Sequence, residues 1–87
     1  MPAPRHPTDQ QLQTRRQVGE RIRTWRHIRR YSQERLGEQA GGLDRRTIAS
    51  FEAGRTPPTL DDLVAIAAAL GIQPDALLRP LPSDLLS

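Results

Sequence analysis

The sequence predicts an all-α fold, a compact domain of five short helices within 87 residues. Three observations support this prediction. Val18, Ile22 and Trp25 follow the i, i+4, i+7 spacing of one helix face. Residues 32–54 contain two short helical patterns on either side of a glycine turn. Residues 59–71 repeat apolar side chains at helical spacing and end in glycine, a frequent helix stop.

The first helix has two possible starts. Residues 1–7 hold three prolines and no apolar pattern, which predicts a disordered arm. Thr8, with Gln11 three residues later, has the residues of a capping box, whereas the firmer apolar pattern begins near Gln17. We therefore assign residues 1–16 to an arm that is disordered or partly helical. We assign Trp25 to the core.

Residues 32–54 have the pattern of a helix, a tight turn and a second helix. Ser32 is placed to cap a helix that runs to about Ala40, and Gly41–Gly42 ends it. Asp44 is placed to cap the next helix, in which Ile48 and Phe51 form one buried stripe.

Helix, tight turn and helix is the arrangement of a helix-turn-helix that reads DNA. Gly37 supports this interpretation, because a mid-helix glycine costs about 1 kcal/mol and is kept where a second helix crosses closely. The exposed face of the third helix carries Arg45, Arg46 and Ser50. Arginine forks match the O6 and N7 edge of guanine, so these three side chains are candidates for base reading.

The C-terminal part predicts two more helices and a tail. Thr59 and Asp62 form a capping-box-like start for the fourth helix, and Gly71 ends it. A short fifth helix is predicted over residues 75–79. Prolines then forbid its continuation, so residues 80–87 are a tail rich in leucine, which is either a dimer contact or disordered. The domain itself spans residues 17–79.

The charge of the chain is divided between its two halves. Residues 1–55 contain 12 Arg and 6 Asp or Glu, a net charge of +6, whereas residues 56–87 have a net charge of −3. The basic half contains the candidate helix-turn-helix, as binding to double-stranded DNA requires. A merely solvated basic surface is the simpler alternative.

Several motifs resemble one family. Ser-Gln-Glu-x-Leu, Ala-Gly, Thr-Ile-x-x-Phe-Glu-x-Gly-Arg-x-x-Pro and Ala-x-x-Leu-Gly are similar to the phage-repressor/Cro-type regulators, also called the xenobiotic-response-element family. The resemblance covers about residues 18–79, and the order of the motifs makes it specific. It implies a lambda-repressor-like domain that regulates transcription, as a repressor, by binding DNA. We favour a homodimer on a two-fold operator, because small reading helices gain affinity when two copies bind two half-sites.

The resemblance implies roles for individual residues. The base-reading positions of the family fall on Arg45, Arg46 and Ser50. An arginine at the position of Arg26 pairs with the glutamate at the position of Glu52, which implies a structural ion pair. The phosphate-binding positions are Gln33, Arg55 and Thr56, with Arg35 as an added contact in place of a glutamate, and Thr47 as either a phosphate contact or part of the packing.

The sequence departs from the family pattern at two places. Arg30 stands where relatives often have a glycine that ends the first helix, so the bend there is expected to differ. Between Ala40 and Glu52 there is one residue more than the usual spacing, and Gly41–Gly42 holds it. We expect a longer turn and some displacement of the third helix.

Other function classes are weighed against this one. An antitoxin-type autoregulator or another protein-interaction module would bind a partner protein through the acidic half and the leucine tail. An enzyme is not expected, because there is no cysteine, the two histidines lie in unrelated contexts and no glycine-rich phosphate loop appears. We expect no cofactor and no metal, since Asp61 and Asp62 lack a third ligand. RNA binding is disfavoured, because only three aromatic residues are present.

The composition also indicates a cellular location. No apolar run approaches the roughly 20 residues that a membrane span requires. Arg5 is not followed by the apolar segment of a signal peptide. We therefore expect a cytoplasmic protein that is not bound to a membrane.

Overall fold

A computed structural model describes residues 6–85 of the protein. Residues 1–5 of the predicted N-terminal arm and residues 86–87 of the tail therefore lie outside the described residues. Within them the chain forms α-helices and 3₁₀ turns and no strand, so the all-α prediction is confirmed. The α-helices are α1 (Asp9–Ile28), α2 (Gln33–Gln39), α3 (Arg45–Glu52) and α4 (Leu60–Leu70), followed by 3₁₀ helices at Pro74–Leu77 and Ser83–Leu85.

The count of five α-helices is wrong by one. The predicted fifth helix is a single 3₁₀ helix of four residues, Pro74–Leu77, which begins with proline and has no side-chain cap. A turn this short gains too few hydrogen bonds to continue as an α-helix. It stays in place because Leu77 is fully buried in the core.

The first helix begins at the earlier of its two possible starts. The backbone N–H of Gln11 donates to the Thr8 hydroxyl at 3.0 Å, and the Gln11 side chain accepts from the Thr8 backbone N–H at 2.9 Å. This reciprocal capping box starts a helix of 20 residues. At 1.5 Å per residue α1 is about 30 Å long.

The other helix caps also follow the sequence. Ser32 accepts from the backbone N–H of Arg35 at 3.0 Å, and Asp44 accepts from that of Arg46 at 3.2 Å. Thr59 starts α4 through a second capping box, and Gly71 ends it in the left-handed conformation, with φ of 71°. These predicted caps are confirmed because capping depends on neighbours three or four residues away.

The core lies where α1, α2, α3 and α4 meet. Ile22, Leu36, Ile48 and Ile66 are fully buried at its centre, one from each helix. Trp25 packs against this core from its edge, as predicted. Among the residues whose burial the structure describes, the buried apolar ones are Val18, Ile22, Leu36, Ala40, Ile48, Phe51, Ile66, Ala67, Leu70 and Leu77.

Two helical glycines allow backbones to approach closely. A Cβ on Gly19 of α1 would collide with the carbonyl oxygens of Phe51 and Glu52 at the end of α3. A Cβ on Gly37 of α2 would collide with the carbonyl of Leu43. The close neighbour of Gly37 is therefore the backbone of the turn, and the prediction that a crossing helix requires this glycine is wrong.

Arg30 forms the bend after α1. Its φ of 59° is the only positive φ among the described residues other than glycine. The backbone N–H of Tyr31 donates to the carbonyl of Arg26 at 3.0 Å and closes the bend. Arg30 thus adopts the left-handed conformation that a glycine adopts freely, at a cost of roughly 1–2 kcal/mol.

Candidate nucleic-acid interface

The third helix presents one anchored side and one open side. Ile48 and Phe51 fix α3 in the core, with 0% and 3% of their surface exposed. Arg45 and Arg46 lie at the start of the helix and are exposed, whereas Ser50 is half-buried. Among the described residues, neither arginine has a side-chain partner. Their guanidinium groups are therefore available for an external ligand.

Ser50 is joined to the loop that follows α3. The hydroxyl oxygens of Ser50 and Thr56 lie 2.7 Å apart, and the backbone N–H of Arg55 donates to the carbonyl of Ser50 at 3.0 Å. The contact between the two hydroxyls places Thr56 on the same side of α3 as Ser50, and Arg55 is exposed beside it in sequence. A hydroxyl both donates and accepts, so Ser50 keeps capacity for a further bond. Thr47 is half-buried beside Ser50 and Thr56 in a shallow notch.

The carboxylate of Glu52 joins three helices. Nε of Arg26 lies 2.7 Å from Oε2 of Glu52, and Nη2 lies 3.0 Å from Oε1. Nη1 of Arg26 donates to the carbonyl of Tyr31 at 2.7 Å. The two side chains are 11% and 5% exposed, and the two-point geometry is the strong form of an arginine–carboxylate pair. This contact sets the position of α3 relative to α1.

Gln33, at the start of α2, also binds this carboxylate. Its Nε2 donates to Oε1 of Glu52 at 3.2 Å, so the ion pair orients the side chain. An amide nitrogen carries two hydrogens, and the second remains for an acceptor outside the protein. Arg35 is exposed on the same helix and lies over the ring of Tyr31, 5.3 Å from its centroid. A cation–π contact of this kind limits where the guanidinium reaches.

Other arginines serve the fold. Nε of Arg29 donates to the carbonyl of Leu70 at 2.7 Å, which attaches the end of α1 to the end of α4. Arg21 reaches the carbonyl of Leu77 at 3.4 Å. Arg79 pairs with Asp75 at 3.2 Å on the surface. These three arginines therefore have partners within the protein, unlike Arg45 and Arg46 at the start of α3.

Two surface notches bring parts of the candidate interface together. One is lined by Arg46, Thr47, Ser50 and Thr56, and the other by Gln33 of α2 and Ala49 of α3. The predictions missed Gly19, which lets α1 lie against the end of α3. A glycine inside a strongly periodic helix was the available signal, because such a position is unfavourable unless packing requires it.

Residues 6–85 contain no group of three or more His, Cys, Asp or Glu side chains arranged to hold a metal ion. None of their helices is both long enough and apolar enough to cross a membrane.

Comparison with known proteins finds similarity to helix-turn-helix proteins and repressors. The helix-turn-helix family HTH_3 matches residues 22–77. The immunity repressor protein of Bacillus phage phi105 is 43% identical over 60 residues, which are 69% of this chain and 41% of the repressor. The chain therefore spans about two fifths of the length of this curated relative.

Two solved structures of similar proteins superpose on this chain over nearly their whole length. The restriction-modification controller protein C.AhdI from Aeromonas hydrophila superposes with a TM-score of 0.70 and 33% identity, covering 72% of this chain and 94% of the other. The P22 c2 repressor, solved in complex with a synthetic operator, gives a TM-score of 0.66 and 35% identity, covering 71% of this chain and 92% of the other.

Proposed function

This chain belongs to the helix-turn-helix family HTH_3, and from that premise we propose that it is a sequence-specific DNA-binding transcriptional regulator that acts as a repressor. The observation that carries the proposal is α3 itself. Ile48 and Phe51 anchor one side of it, and the exposed Arg45 and Arg46 at its start have no side-chain partner among residues 6–85. A helix held in this way can enter a major groove with its first residues on the bases.

Base reading is assigned to the start and the middle of α3. The guanidinium groups of Arg45 and Arg46 would bind guanine through O6 and N7. Ser50 would contribute its hydroxyl, which either donates to or accepts from a base. Asp44 supports this arrangement, because it caps the backbone at Arg46 and holds the first turn of the helix.

Phosphate binding is assigned to the residues around this helix. Gln33 supports it with the amide hydrogen that Glu52 leaves free, and Arg35, Arg55 and Thr56 support it by their exposure. Thr47, like Gln33, is half-buried. Such contacts fix the register of a protein on the duplex and carry no sequence information themselves.

A homodimer on a two-fold operator belongs to the same proposal. A single α3 of eight residues reaches only a few base pairs, and two copies on two half-sites double the readout. A cytoplasmic location and the absence of an enzymatic activity are consistent with a regulator of this kind and are part of the proposal.

A second candidate function is supported by the α4 surface. Leu60 and Val64, four residues apart, are 74% and 48% exposed, and Leu78 is 56% exposed. They belong to the acidic half of the chain. An antitoxin-type autoregulator or another protein-interaction module would use such side chains to bind a partner protein.

Titration of labelled DNA tests the first proposal. DNA from the promoter region of the protein's own gene is compared with a scrambled duplex of equal length, at two salt concentrations. We expect tighter binding to the promoter DNA, with a preference that survives the higher salt. Equal and steeply salt-dependent binding to both duplexes would contradict base reading and favour the protein-partner candidate.

A further inference from the structure

A notch lies between α1, α2 and α3 on the side of the candidate interface. Its volume is about 230 Å³, and it is more polar than apolar. Ala49 of α3 and Ala53, the residue that caps the end of α3, form one wall. They follow Arg45 by four and eight residues, the spacing of one helix side. Their small side chains leave the notch open. The complete lining is Arg23, Arg26, Gln33, Ala49, Glu52 and Ala53.

The charge of this notch comes from Arg23. Glu52 lies at its base and is neutralised by the two-point contact with Arg26. Arg23 is exposed, and within residues 6–85 it makes no hydrogen bond or ion pair. The notch therefore holds one uncompensated positive charge next to the amide of Gln33.

The position of Arg23 is fixed by its helix. It lies four residues after Gly19 and three before Arg26, so all three occupy one face of α1. Gly19 brings this face against the end of α3, and Arg26 binds Glu52 there. The backbone of Arg23 is consequently held beside α3, where its side chain lines the notch.

We propose that Arg23 binds a phosphate oxygen of the DNA backbone that passes over this notch. The assignment rests on the proposed function and adds α1 to the elements that contact DNA. A guanidinium binds phosphate through two parallel N–H groups, and Gln33 in the same notch offers a further donor. Because the contact is to the backbone, Arg23 contributes equally to every DNA sequence.

The slope of log Kobs against log salt concentration tests this assignment. Arg23→Gln is compared with the wild-type chain on a scrambled duplex and on promoter DNA. We expect the slope on both duplexes to become shallower by about 0.9, the value for one phosphate contact. The affinity ratio between the two duplexes should not change.

Arg79→Gln is the matched control, because it removes the same charge from an exposed position beside Asp75 in the acidic half. Its slope should equal that of the wild type. A wild-type slope for Arg23→Gln, or an equal change in both variants, would overturn the assignment while leaving the proposed function standing. Failure of the wild-type chain to bind either duplex would refute the proposed function, and this inference with it. Thermal unfolding of each variant shows whether the fold is retained.

Discussion

The guanidinium of Arg26 binds both carboxylate oxygens of Glu52, and the pair attaches α1 to the last residue of α3. Both side chains are nearly buried. Removal of one partner leaves an uncompensated charge in a site that excludes most water, whereas removal of both does not.

The first prediction concerns the stability of this pair. Glu52→Leu should lower the free energy of unfolding by about 3 kcal/mol, because Arg26 is left buried without a counter-charge. The double variant Arg26→Met with Glu52→Leu should recover most of that loss. Urea denaturation of both variants and of Arg26→Met measures the coupling. Losses that simply add in the double variant would contradict a coupled pair.

The second prediction concerns the contact between α1 and α3. Gly19→Ala should destabilise the protein by about 2 kcal/mol, since the new methyl group collides with the carbonyls of Phe51 and Glu52. The sign is informative, because alanine normally stabilises a helix interior by about 1 kcal/mol relative to glycine. Glu20→Ala, at the exposed neighbouring position, is the control and should change stability little. A stabilised Gly19→Ala variant in thermal unfolding would show that α1 and α3 lie further apart.

The third prediction concerns the bend at Arg30. Arg30→Gly should stabilise the protein by roughly 0.5 kcal/mol, because relief of the left-handed strain exceeds the extra chain entropy of glycine. Arg30→Ala removes the same charge but keeps the strained φ, and it should give no gain. The urea concentrations at the unfolding midpoints of the two variants distinguish relief of backbone strain from loss of the charge. A gain of equal size in both variants would assign the effect to charge instead.

The fourth prediction concerns base reading and rests on the proposed function. Arg45→Ala or Arg46→Ala should weaken binding to the operator by about 1–3 kcal/mol and relax specificity at one base pair. Arg55→Ala is the comparison, because loss of a phosphate contact weakens binding to operator and scrambled DNA alike. Fluorescence anisotropy with operators changed at single base pairs measures both effects. An unchanged ratio between operator and scrambled DNA in the α3 variants would remove them from base reading.

Local features of the fold could be predicted from the sequence, because their causes lie within a few residues. The caps at Ser32, Asp44 and Thr59 are of this kind, as is the buried stripe of Ile48 and Phe51. The 3₁₀ helix at Pro74–Leu77 was harder to predict from the sequence, since its length is decided by burial of one leucine in the assembled core.

Contacts between distant parts of the chain were harder to predict. Thirteen arginines look alike in the sequence. Only the fold shows that Arg29 bonds to the end of α4, whereas Arg23 makes no hydrogen bond or ion pair with the part of the chain that the structure describes. The carbonyl that faces Gly37 belongs to the turn, a detail that helical spacing does not encode. The Arg26–Glu52 contact was expected only from the family resemblance.

The glycines around the turn and those inside the helices should tolerate mutation in different ways. At Gly41 and Gly42 an added Cβ meets nothing within 4 Å, but φ values of 87° and 91° disfavour most L-residues. A randomised library should therefore return glycine there and, besides it, asparagine and aspartate, the residues with a side chain that best accept positive φ. At Gly19 and Gly37 the limit is side-chain volume, so the same library should return glycine alone.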